Sequence, residues 1–119
     1  MPKLSWSAFI ERHPAAHLVA GAIPEEDVAT VTVRDSLALL AKLAKRLALT
    51  GQYAMTVDRR SCLPEIHCAF ARDTDAAGFA QALNATGVGR YSGWESQRQF
   101  GLDSKALKTI AKVLEWIEP

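Results

Sequence analysis

Between Val28 and Leu83 the hydrophobic rhythm alternates between two periods, and this constrains the fold more than any other feature of the chain. ATVTV repeats every two residues, as a half-buried strand does. SLALLAKLAKRLAL follows the helical period, YAMTV and EIHCAF return to the period of two, and DTDAAGFAQAL is helical again. Strand–helix–strand–strand–helix is most of a split βαβ unit. The expected fold class is therefore α+β: a ferredoxin-like βαββαβ antiparallel sheet with helices on one face. An N-terminal extension (1–27) would precede a core (28–100), and a C-terminal helix (103–118) would follow it, in a single domain (1–119).

At 119 residues the chain matches one domain of ordinary size. Its apolar fraction of 49% argues against disorder. The net charge of +1 predicts no bulk attraction to nucleic acid or anionic lipid, so any electrostatic function must come from local clustering. Cys62 and Cys68 are the two cysteines. Six residues along one strand would separate them by roughly 20 Å, far beyond disulfide reach. Two free thiols point to a reducing compartment. MPKLSWSAFIERHPAAHL lacks a secretory apolar core, because Glu11, Arg12, His13 and Pro14 interrupt it. No apolar run approaches membrane-spanning length. A soluble, cytoplasmic protein is expected.

The pattern predicts a short helix over 4–13 with Trp6, Phe9 and Ile10 on one side, stopped by Pro14. AAHLVAGA is apolar and fits either helix or strand. IPEEDV reads as an acidic loop. The first strand is placed at Val28–Arg34, with Asp35 or Ser36 capping the helix that follows. That helix turns Leu37, Leu40, Ala44 and Leu47 inward, and Gly51 suits its C-terminal turn. The second strand is expected at Gln52–Asp58 and the third at Glu65–Phe70. Asp73 or Thr74 would cap a helix burying Ala76, Phe79, Ala80 and Leu83 and ending at Gly87. Gly89 and Gly93 oppose a long fourth strand, so its pairing would begin near Trp94. Asp103 or Ser104 would cap a last helix with Leu107, Ile110, Leu114 and Ile117 as its apolar stripe.

Alternation then assigns faces. Val31, Val33, Tyr53, Met55, Val57, Ile66, Cys68 and Phe70 are expected against the helices; Thr30, Thr32, Arg34, Gln52, Thr56, Asp58, Glu65 and His67 face the other way. In this topology one end of the sheet collects three loops, bringing Arg34, Arg59, Arg60 and Arg90 to a common rim beside a helix N-terminus. Guanidinium forks suit phosphates and carboxylates. Arg90, Tyr91, Trp94 and Arg98 interleave basic and aromatic residues, a mixture found at binding hot spots and base-stacking surfaces.

Other constellations carry less. His13 and His17 have helical ligand spacing, but Pro14 lies between them. His67 and Cys68 face opposite sides of their strand, and Cys62 is too widely spaced for a zinc motif, so no metal site and no cofactor are expected. No nucleophile elbow, Walker loop or dinucleotide fingerprint occurs. Glu65 and His67 could pair as acid and base on the open face, which keeps an enzyme or small-ligand sensor as an alternative.

EIHCAFARDTDAAGFAQAL is similar in rhythm to the third strand and second helix of the RNA-recognition-motif family. The resemblance covers about 20 of the 119 residues. That family stacks bases on exposed strand aromatics. Thr30, Thr32, Glu65 and His67 hold the corresponding face here, so no RNA-contact residue carries over. The sequence reading is thus a non-catalytic adaptor, regulator or inhibitor that contacts an anionic partner through its arginines. That partner would be an acidic protein or a nucleoprotein complex. Direct nucleic-acid binding is a second alternative, homodimerisation is open, and no membrane partner is expected.

Overall fold

The computed structural model describes residues 3–59, 63–90 and 99–116. It is mixed α+β. The order is α1 (Trp6–Arg12), β1 (His17–Ala22), a 3-10 turn (Glu25–Asp27), α2 (Val33–Arg46), β2 (Tyr53–Asp58), β3 (Glu65–Phe70), α3 (Asp73–Ala82), β4 (Gly89–Arg90), β5 (Phe100–Gly101) and α4 (Ser104–Trp116). The sheet runs β2-β3-β1-β4, with β5 also paired to β1. β1 is antiparallel to β3 and β4, and β2 is antiparallel to β3. β5 runs parallel to β1, so the sheet is not wholly antiparallel.

The main correction concerns the first strand. Val28–Arg34 is not extended; the strand is His17–Ala22, inside the segment expected to be an extension. Five of its six residues are buried, because β3 lies on one side, β4 and β5 on the other, and helices cover both faces. Apolar residues fill both faces of β1, so the strand carries no alternation and its run resembles a buried helix. ATVTV instead forms the turn into α2. Val31 N–H bonds the Asp27 carbonyl at 2.7 Å, and the Thr32 hydroxyl accepts from Asp35 N–H at 3.1 Å. Thr32 is the N-cap, and Ser36, expected at the cap, lies buried on the inner side of α2.

The expected helix ends shift in the same way. Ala48 (φ 52°), not Gly51, takes the left-handed position after α2, and Asn84 (φ 55°), not Gly87, takes it after α3. Arg72 precedes α3 without a side-chain cap, and Asp73 sits in the first turn. Asp103 does cap α4, accepting from Ala106 N–H at 2.6 Å. Asp75, in the first turn of α3, reaches across to a neighbouring connection. Its buried carboxylate accepts from Thr50 N–H, Thr50 Oγ1 and Gly51 N–H, tying α3 to the connection between α2 and β2.

Two apolar layers sandwich the sheet. On one face Val19, Tyr53, Ile66, Cys68 and Phe70 meet Leu40 and Leu43 of α2, Ala76 and Phe79 of α3, and Ile110 and Leu114 of α4. The expected inward stripe of α4 is in this layer as far as Leu114, and Ile117 lies outside the described residues. On the other face α1 lays Phe9 over Leu18, Ala54 and Ala69, with Trp6 and Ile10 beside it. Helices therefore cover both faces, not one. Leu4 N–H bonds the Tyr53 carbonyl at 2.9 Å, so the chain ahead of α1 partly covers the β2 edge.

Candidate functional site

The register across the three long strands arranges the α1 face in rows. Leu18, Ala69 and Ala54 form an apolar row under Phe9. Ala20, His67 and Thr56 form the next row, and Ala22, Glu65 and Asp58 the row after that. The face thus turns from apolar to acidic over four residues of strand. It was expected to be open to water unless the N-terminal segment or the last helix covered part of it. Instead His67 and Glu65 are 0% and 1% exposed and Asp58 is 8% exposed.

These three side chains come together. Nε2 of His67 lies 3.2 Å from Oε1 of Glu65, and the Trp6 ring meets the imidazole edge-on at a centroid distance of 6.4 Å. One ligand-type atom from each of Asp58, Glu65 and His67 falls within 4.8 Å of the others. Alternation in β3 puts Glu65 and His67 on one side, and the hairpin register brings Asp58 directly opposite Glu65. Sequence reading paired Glu65 with His67 but left Asp58 out, because the β2–β3 register is a long-range fact.

The arginines divide between the two ends of the sheet. Arg34, in the first turn of α2, and Arg59, just after β2, are both exposed and line one hollow of about 460 Å³ with Ile23, Val31, Thr32 and Pro64. Arg90 is elsewhere. It pairs in register with His17, at the opposite end of β1 from Ala22, and Nη1 donates to the Ala15 carbonyl at 3.2 Å. There it lines a shallower hollow of about 360 Å³ with Asp73 and Val88. The expected four-arginine rim is therefore not assembled. β4 is too short and sits too far down β1 to carry Arg90 to the end where Arg34 and Arg59 lie. Arg60, Tyr91, Trp94 and Arg98, together with Cys62, lie outside the described residues.

One basic grouping escaped the sequence reading. Lys3, Lys42 and Lys45 surround a groove of about 460 Å³ floored by Ala44, Leu49 and Tyr53. Lys42 and Lys45 are three apart, a spacing that signals a shared helix face but looks the same on any solvated helix. Lys3 joins them only because the N-terminal segment pairs with β2.

Cys68 is a buried free thiol in the helix-covered layer, and burial pushes its pKa up, which favours an inert core residue over a nucleophile. Among the described residues no helix is long and apolar enough to cross a membrane. The chain matched no protein-family model, no curated protein and no solved structure.

Proposed function

We propose that this chain is a non-catalytic adaptor or inhibitor with a ferredoxin-like core, working in the cytoplasm. It would hold an anionic partner, an acidic protein or a nucleoprotein complex, against the Arg34–Arg59 hollow. The observation carrying this reading is that two exposed arginines, 25 positions apart in sequence, line one hollow where α2 begins. The positive pole of α2 adds to the attraction there. Asp35 in the same turn offsets part of it, which suits a modest, salt-sensitive contact better than a tight phosphate cage. Two crossover helices and the order β2-β3-β1-β4 support the ferredoxin-like reading of the core.

Binding of the full chain to polyglutamate and to duplex DNA, measured across a salt series, tests this function. The double substitution Arg34→Glu with Arg59→Glu should weaken polyanion binding at least about tenfold and flatten its salt dependence. Arg90→Glu, at the other end, should leave it within about twofold. A preference for DNA would select the nucleic-acid alternative. Equal losses from Arg90→Glu and the double variant, or no polyanion binding by the native chain, would overturn the hollow as the contact site.

A further inference from the structure

We propose that Asp58, Glu65 and His67 form a structural binding site for one divalent transition cation of the zinc or manganese type. This goes beyond the adaptor reading and does not depend on it. Three observations lead to it.

First, the ligand chemistry is mixed. Two carboxylates and an imidazole are a donor set that suits zinc, manganese or iron better than calcium, which takes oxygen alone. Second, the groups are built in. They stand on two strands locked by six consecutive register pairs, and none is more than 8% exposed. Third, the spacing fits. Bonds of about 2.1 Å place neighbouring ligand atoms roughly 3.0–3.4 Å apart around a metal. The His67–Glu65 separation of 3.2 Å falls in that range, and all three atoms lie within 4.8 Å, so small side-chain rotations close the set.

Asp58 and Glu65 face each other directly across the strand pair, so a cation held by both carboxylates would bridge the two strands. A bound cation would take the place of the His67–Glu65 hydrogen bond. Three protein ligands leave the fourth position of a tetrahedral site to water, and the burial of the set points to a structural role, pinning the β2–β3 hairpin beneath α1.

The test uses the full chain, stripped with chelator and then titrated separately with Zn²⁺ and Co²⁺. The expected result is one equivalent bound, a visible Co²⁺ absorption band, and a raised unfolding midpoint in the presence of metal. Asp58→Asn and His67→Gln should each weaken binding at least about tenfold. Asp58→Asn is the variant to rely on if His67→Gln fails to fold, since Asp58 is the least buried of the three. His17→Gln should leave binding unchanged. Failure to retain either metal, or uptake by Asp58→Asn equal to that of the native chain, would overturn the site and leave a purely hydrogen-bonded network. Neither result would bear on the Arg34–Arg59 hollow, whose test uses polyanions without metal.

Discussion

The two faces of the sheet are built on different plans. The face toward α2, α3 and α4 is a thick apolar layer in which Phe70 packs on Phe79 with ring centroids 5.0 Å apart. The face toward α1 is thin. Among the described residues one seven-residue helix covers it, alanines line its floor, and it passes into a buried acidic row with one imidazole beside it. The first plan maximises apolar area removed from water, which dominates stability. The second gives up part of that area to hold polar groups in fixed positions, and buried groups of this kind destabilise unless each is satisfied. Where one sheet is covered so unequally, the costlier face is the one to search for a site.

The largest effects should separate the faces by stability. Phe70→Ala should cost about 3–5 kcal/mol in global unfolding by denaturant, because the cavity opens between three packed elements. Phe9→Ala, equally buried, should cost less and should also raise hydrogen exchange in α1 and at Ala54 before the rest of the sheet opens. Equal costs with no local opening would show that both faces unfold as one unit and would break the comparison.

Gly21 offers a smaller test at the margin between strand and cover. A Cβ there would stand 2.4–2.8 Å from the Phe100 ring, so the aromatic side chain rests on the bare backbone of β1. Gly21→Ala should cost about 1–3 kcal/mol through overpacking. Adding Phe100→Ala should recover part of that loss, which a double-mutant cycle would measure. Additive losses would mean that the ring is held elsewhere in solution.

The smallest effect is a difference in pH response. Cys68 and Tyr53 both lie in the thick layer, and burial raises both pKa values from ordinary values of 9.0 and 10.0. The folded state therefore holds protons that the unfolded chain releases in base. Stability from this source is fully present below pH 9 and declines as pH rises through 9 to 10 and beyond. Denaturation at pH 7 and pH 10.5 should show the loss, and Cys68→Ala should reduce the difference between the two. A difference unchanged by Cys68→Ala would remove the thiol from this account.

Much of the helical and hairpin structure was legible because its signals are local. α2, α3 and α4 each bury one face and expose another, and β2 and β3 alternate apolar with polar side chains although all of β3 is buried, so each of these segments carries a period in its sequence. Ile66, Cys68 and Phe70 could be assigned to the helix side, and Ala76, Phe79 and Ala80 to the core, from spacing alone. The pairing of Glu65 with His67 on one strand face was equally visible.

Three matters were decided only in three dimensions. β1 has no period because apolar residues fill both of its faces, so a central strand looked like an ambiguous apolar run while ATVTV, a turn and helix cap with Val31 buried, looked like a strand. Asp58 joins Glu65 and His67 through the hairpin register, and Arg34 lines the same hollow as Arg59 while Arg90 goes to the opposite end because of where β4 docks on β1. Periodicity records how each segment sees its own surroundings. It does not record which distant segment supplies those surroundings, and both groupings of residues depend on that pairing.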